Sequence, residues 1–210
     1  MLLPKLEAML HELYALEIGY AVSDFLITDA ILAAALDAGG RKVDEKLLIA
    51  EANGEADVAL YLEQELLDRL ARRDPLTRLD GDNLADFWSA LEGVSHFTYY
   101  AWNAARDKSV SLFELELQAE VDKFVTTGIL LREQTGREPS GLHGWLFDSP
   151  TLATELDDEE RDRYRRANRY AAKYCSRLLP GSADGEAVQS ELRRFYRLSQ
   201  ASKLAHIDAD

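Results

Sequence analysis

The sequence predicts an α+β fold that is predominantly helical, in which a small antiparallel sheet packs against a helical bundle. Apolar residues recur at spacings of three and four through most of the 210 residues, which is the period of an amphipathic helix. Two short apolar runs flank Asn53-Gly54, a dipeptide that suits the type I′ turn of a hairpin. No Gly-rich or Ser-rich linker divides the chain, which predicts a single domain (1–210) with a mixed α/β layer at 1–80 and a helical layer at 81–210.

The first 80 residues contain the predicted sheet. The expected elements are an opening helix from Leu3 to about Ile18, strands at about 25–28, 46–52 and 55–62, a short helix from Ala30 to Ala38 and a helix from Glu63 to Arg73. Gly19 is expected to end the opening helix and Asp29 to cap the short one. The strand at 25–28 is expected because a lone hairpin is marginal in water. A helical alternative for Lys46–Leu62 stays open, because Glu, Ala and Leu are good helix formers.

The remaining residues are predicted to be helical. The expected helices run from about Asp82 to Arg106, from Leu112 to Glu133, from Asp157 to Leu178 and from Glu186 to about Lys203, with a long loop at 135–150. Asp82 is expected to cap the first of these helices. Ser111 and Glu114 form a capping box at the start of the second, which accounts for Glu114 structurally. His206 is expected in a fraying tail.

Two adjacent helices, Asp82–Arg106 and Leu112–Glu133, carry the candidate site. A polar line runs along one side of the first helix and comprises Glu92, His96, Tyr99, Asn103 and Arg106. Because the connection is short, the two helices are expected to be antiparallel, and Glu116 and Glu120 of the second helix then face this line. Carboxylate and imidazole groups placed in this way bind a divalent metal or exchange protons.

This pattern supports two interpretations. In the functional one, the catalytic residues are His96, Glu120 and Tyr99, the metal ligands are Glu92, His96, Glu116 and Glu120, and the cofactor is a divalent metal. In the structural one, His96 is a hydrogen-bonded packing residue and the glutamates form a solvated face. The chain has Glu92-x-x-x-His96, whereas the di-metal helical bundles use Glu-x-x-His. Asp44-Glu45-Lys46 is a weak match to an acid-and-lysine nuclease pattern, and the charge of the chain disfavours it.

Two further groups of residues are candidate contacts. Arg166, Arg169, Lys173 and Arg177 line one side of a helix, either as an anion-binding or partner-docking face or as a solvated face. His143 and Trp145 lie in the predicted 135–150 loop, where aromatic residues either fill the core or contact a partner, and His143 is a candidate lid over the central site. Cys175 lies on an apolar stripe and is expected to be an inert core thiol.

Composition limits the classes of function. The net charge of −14 disfavours nucleic acid as a partner. No apolar run reaches the roughly 18 residues of a membrane span. A single cysteine and an opening segment unlike a secretory signal predict a cytoplasmic location. No phosphate loop, nucleophile elbow or cysteine pair is found. The first hypothesis is therefore a non-catalytic protein-interaction or oligomeric module with a protein partner or a second copy, and the alternative is a metal-dependent or acid–base enzyme using the His/Glu site.

Overall fold

The computed structural model describes residues 1–37, 43–52, 55–137, 139–148, 156–178 and 185–209. The helices are α1 (Leu3–Tyr14), α2 (Ala30–Leu36), α3 (Gln64–Arg72), α4 (Leu84–Ala104), α5 (Leu112–Thr135), α6 (Leu142–Phe147), α7 (Asp158–Cys175), α8 (Gly185–Arg197) and α9 (Gln200–Asp208), and the strands are β1 (Leu26–Ile27), β2 (Glu45–Ala52) and β3 (Glu55–Leu62). Predominantly helical α+β, the predicted fold class, is confirmed.

The sheet has the strand order β1-β3-β2. β2 and β3 pair antiparallel from Glu45↔Leu62 to Ala52↔Glu55, which confirms the predicted hairpin and excludes the helical alternative. The turn predicted at Asn53-Gly54 lies outside the described residues. β1 pairs parallel with β3, so the sheet is mixed and not antiparallel as predicted. β3 lies between the other two strands, and β1 and β2 run in opposite directions, so β3 is parallel to one and antiparallel to the other.

Two helix starts and one helix end show how local chemistry sets the boundaries. α1 ends at Tyr14 and not near Gly19, because Ala15 adopts the left-handed region at φ 50°. Asp29 caps α2 as predicted, and its side chain accepts hydrogen bonds from the backbone N–H groups of Ile31 and Leu32. The cap position of α4 is Asn83 and not Asp82. The Asn83 amide instead donates to the carbonyl oxygens of Arg73 and Arg78 and ties the preceding turn to α4.

The C-terminal third differs from the prediction in two places. The predicted 135–150 loop contains α6, which begins after Gly141 at φ 86°. The predicted last helix is two helices, α8 and α9, because Ser199 caps a new helix by accepting a hydrogen bond from the Ser202 N–H. His206 therefore lies in α9 and not in a fraying tail, with Nε2 at 2.6 Å from Glu191 Oε1.

α4 and α5 form the centre of the fold. Trp88 Nε1 donates to Thr127 Oγ1, and Glu92 pairs with Lys123, so the two helices are antiparallel as predicted. The capping box of Ser111 and Glu114 is present. α7 packs against α5, and α1 and the β2–β3 hairpin pack against α4. Among the described residues, no helix has the length and apolar composition needed to cross a membrane.

Candidate functional site

His96 lies on α4 at a point where side chains of the β2–β3 hairpin and of α5 both contact its ring. Its side chain is 7% exposed, with Nδ1 at 3.4 Å from Glu45 Oε1 and Nε2 at 3.8 Å from Glu116 Oε2. Within the described residues, His96 Nε2 and Glu45 Oε1 are buried and make no hydrogen bond. Buried polar atoms are almost always hydrogen-bonded, so two atoms in one cluster that make only longer ion-pair contacts point to a functional role.

Glu45 is the site residue that sequence reasoning missed, since it was considered only within Asp44-Glu45-Lys46. It opens β2, and its carboxylate reaches the centre because α4 has a glycine at the crossing. A Cβ atom on Gly93 would lie 2.9 Å from Glu45 Cγ and 2.9 Å from Leu60 Cδ1. Glycine in the middle of a helix costs stability, and here it allows the close approach of the strand. Gly93 was therefore the signal in the sequence that a strand crosses α4 here.

A second set of charges adjoins His96. Lys123 Nζ lies 2.5 Å from Glu92 Oε2 and 2.9 Å from Glu120 Oε1, and all three side chains are less than one-fifth exposed. One ligand atom from each of Glu45, Glu92 and His96 lies within 4.8 Å of the other two. We call the six residues Glu45, Glu92, His96, Glu116, Glu120 and Lys123 the His96 centre.

Burial and opposite charges shift the proton affinities of this centre. Burial lowers the pKa of His96, but the neighbouring carboxylates of Glu45, Glu116 and Glu92 outweigh it and raise the pKa to about 9. Burial raises the pKa of Glu116 to about 8, although the His96 charge opposes this. Burial also raises the pKa of Glu45. At neutral pH His96 and Glu116 therefore hold protons that ordinary His and Glu side chains would have lost.

Lys123 and Glu92 stay ionised at neutral pH. Burial lowers the pKa of Lys123, but Glu120 and Glu92 outweigh it and raise the value above the ordinary one. The pKa of Glu92 is lowered although burial opposes this, because Lys123 and His96 stabilise its charge. Tyr164 of α7 borders the centre, where burial and then the charge of Glu116 raise the pKa of its phenol.

The structure brings together only part of the predicted site. Glu92, His96, Glu116 and Glu120 lie in one cluster, as the antiparallel helix pair predicts. Tyr99 does not join them. Its ring lies 4.4 Å from Lys203 Nζ and packs edge-on against Tyr196, with the ring centroids 5.0 Å apart. The catalytic and metal-binding roles of these residues stay predictions.

The residues of the predicted loop lie on α6. His143 Nε2 is 2.9 Å from the carbonyl oxygen of Ala172, and its ring packs against Phe124 and Phe147. The lid role predicted for His143 therefore has no support in its position. Trp145 is 61% exposed, and its role as a partner contact stays a prediction.

The four basic residues predicted along one helix face divide into two pairs, and Arg177 lies in a 3-10 turn just after α7. Lys173 binds Asp208 at 3.0 Å, and Arg177 donates to the carbonyl oxygens of His206 and Ile207, so these two residues hold α9. Arg166 and Arg169 are exposed, with their guanidinium groups over the rings of Phe113 and Tyr170. An anion or partner contact by these arginines stays a prediction. Cys175 is fully buried, and burial raises the pKa of its thiol, which fits an inert core residue.

The residues of the His96 centre are suited to two kinds of chemistry, metal binding and proton transfer. No protein-family model, no curated protein sequence and no solved structure matches the chain. Imidazole nitrogen and carboxylate oxygen are the donors that proteins offer to zinc, manganese, iron and cobalt. A carboxyl group that keeps a proton near neutral pH beside an imidazolium, as Glu116 does, is also an arrangement for proton transfer.

Proposed function

We propose that this protein binds a divalent first-row transition ion at the His96 centre. The observation that carries the proposal is the buried Nε2 atom of His96, which has no hydrogen-bond partner in the described part of the chain and lies among carboxylates. The ligands would be Glu45, Glu92 and His96, with Glu116 as the fourth. Three or four nitrogen and oxygen donors are the usual number for such an ion.

The spacing of the donors supports this ligand set. An ion about 2.1 Å from each ligand needs ligand atoms roughly 3 to 4 Å apart. The ligand atoms of Glu45, Glu92 and His96 lie within 4.8 Å of one another, which is close to the separation that such an ion requires.

The charge balance supports it as well. Lys123 and protonated His96 are the cationic groups against the carboxylates of Glu45, Glu92, Glu116 and Glu120. A divalent ion would replace the protons on His96 and Glu116, so two positive charges would exchange for two and the net charge of the buried cluster would not change. Metal binding that displaces protons from ligands is the normal coupling at such sites.

The test is equilibrium dialysis of chelator-treated protein against Mn²⁺, Co²⁺ and Zn²⁺ separately at pH 8, followed by elemental analysis. We expect one ion per chain for at least one of these metals, and His96→Gln is expected to weaken its binding by at least about 100-fold, since an imidazole ligand is lost. His143→Gln is the matched control, because His143 is a half-buried histidine outside the centre and its loss should leave metal affinity unchanged. No stoichiometric ion at pH 8 or 9, or equal loss in both variants, would contradict the proposal.

A second candidate function is that of an oligomeric interaction module, and one observation favours it. α2 consists only of alanine, isoleucine and leucine, yet Ile31 is 84%, Leu32 45% and Leu36 57% exposed. Contiguous exposed apolar surface usually marks an interaction site. We propose a second copy of this chain as the partner, because residues 30–36 carry no charged side chain, so two copies with a net charge of −14 can meet there through apolar side chains alone.

Light scattering across a range of protein concentrations tests this candidate. We expect a concentration-dependent dimer that Leu36→Glu abolishes, because the substitution places a charge in the apolar contact. Leu112→Glu is the matched control, since Leu112 is also 57% exposed but lies at the start of α5. A monomer at every concentration, or equal effects of the two substitutions, argues against α2 as a self-association surface.

A further inference from the structure

Lys123 lies between two carboxylates of the His96 centre. Its Nζ atom is 2.5 Å from Glu92 Oε2 and 2.9 Å from Glu120 Oε1, and its side chain is 10% exposed. A buried ammonium needs such partners to offset its lost hydration. The same pair of oxygens would also serve a divalent cation, because hard cations take carboxylate ligands.

Glu92 belongs to both parts of the centre. One of its oxygens lies within 4.8 Å of ligand atoms of Glu45 and His96, while its Oε2 atom contacts Lys123. In two-metal sites the ions are about 3.5 to 4 Å apart, close enough for one carboxylate to bind both. Glu92 is placed as such a bridge, with ligand atoms of Glu45 and His96 on one side and the ammonium of Lys123 on the other.

We propose that Lys123 occupies the second cation position of a two-cation centre. The wild-type protein then takes one divalent ion, and removal of the ammonium admits a second ion between Glu92 and Glu120. Lys123 also competes with the first ion for Glu92 and so weakens its binding. This inference rests on the proposed metal binding and specifies how many ions the same site holds.

The experiment compares wild-type protein with Lys123→Ala, using equilibrium dialysis against Mn²⁺ and electron paramagnetic resonance at pH 8. We expect one Mn²⁺ per wild-type chain and two per Lys123→Ala chain, with the first ion bound about tenfold more tightly in the variant because a neighbouring positive charge is removed. The six-line spectrum of an isolated Mn²⁺ ion should give way to the spectrum of an exchange-coupled pair. Adding Glu120→Gln to Lys123→Ala should remove the second ion.

Lys173→Ala is the control, because Lys173 also pairs with a carboxylate but lies far along the chain on α7. Lys123→Gln, which keeps an N–H donor without the charge, replaces Lys123→Ala if the latter does not fold, and it should bind the first ion more tightly than wild type. One ion per chain with unchanged affinity in both Lys123 variants would overturn the inference and leave the proposed function standing. A wild-type protein without any stoichiometric ion would overturn the proposed function itself.

Discussion

The affinity of the His96 centre for Mn²⁺ or Zn²⁺ is expected to rise at least about 100-fold between pH 6 and pH 8, because each displaced proton contributes tenfold per pH unit. The pKa of His96 in the metal-free protein is about 9, so its ring carries a proton throughout this range. The metal-bound ring must be deprotonated, so the ion competes with that proton. Lowering the pH therefore favours the proton, and raising the pH favours the metal.

Glu116 adds a second proton to the same competition. Its pKa is about 8, so it is also protonated over most of this range, and its coordination would steepen the dependence further. Glu116→Gln removes that proton without removing His96, so the variant should bind less tightly but with a shallower pH slope. Competition with a chromophoric chelator at four pH values, in a non-coordinating buffer, measures both slopes. An affinity independent of pH would show that no proton leaves the ligands and that His96 does not coordinate the ion.

The local parts of the fold were predictable because their determinants lie a few residues apart. The hairpin follows from two apolar runs around a turn dipeptide, and the confirmed pairing of Ala52 with Glu55 is the register that a two-residue turn requires. The capping box at the start of α5 depends only on Ser111 and Glu114. The antiparallel arrangement of α4 and α5 follows from the short connection between them.

The misplaced elements depend on contacts that the sequence pattern does not contain. α8 and α9 were predicted as one helix because Val188, Leu192 and Phe195 continue a helical period, but the Ser199 cap redirects the chain. The break lets α9 turn back against α7, where Arg177 donates to its last carbonyl oxygens. A serine in a helical pattern is common, so the break has no unambiguous local signal.

Only the helical part of the candidate site was predictable, because the other part depends on tertiary contacts. Glu92, His96, Glu116 and Glu120 lie on two sequential helices whose spacing can be counted from their turn. Glu45 enters from a strand, and its approach depends on the tertiary crossing at Gly93. Tyr99 was expected in the site because it follows His96 by three residues, but the helix turns its ring toward Tyr196. Polar residues along one line of a helix can thus contact two different parts of the protein.

Tyr99 and Tyr196 lie beside a buried polar network around Asp122 of α5. Tyr14 and Ser95 donate to its carboxylate, and the Gln118 amide donates to the same group at 2.9 Å. Lys203 of α9 extends the network by donating to Gln118 Oε1 at 2.8 Å. Lys203 is fully buried beneath aromatic rings, and its pKa is lowered to about 7 by burial, although Glu114 and Asp122 favour its charge. The network therefore holds α9 against the core through Lys203, whose pKa is lower in the folded protein than in the unfolded chain.

Lys203→Met is expected to raise the free energy of unfolding by about 2 kcal/mol at pH 6 to 7, because the gain from not burying an ammonium exceeds the loss of its hydrogen bond to Gln118. In the wild type, the unfolded lysine binds its proton up to about pH 10.5 while the folded one releases it above pH 7, so wild-type stability from this group rises with pH. The advantage of the variant should therefore shrink by about 1.4 kcal/mol per pH unit above pH 7 and vanish at about pH 8.5.

Urea unfolding of both proteins at pH 6, 7, 8 and 9, in the presence of a chelator, measures this difference. The titrations of His96 and Glu116 occur in both proteins, so they cancel when the two curves are subtracted. Lys5→Met is the control, because Lys5 is exposed on α1 and its loss should give no pH-dependent difference. Two results would contradict this prediction: Lys203→Met less stable than wild type at pH 6, or a stability difference that stays constant with pH. Either result would mean that Lys203 keeps its charge when buried. The aromatic rings and carboxylates, and not deprotonation, would then stabilise it.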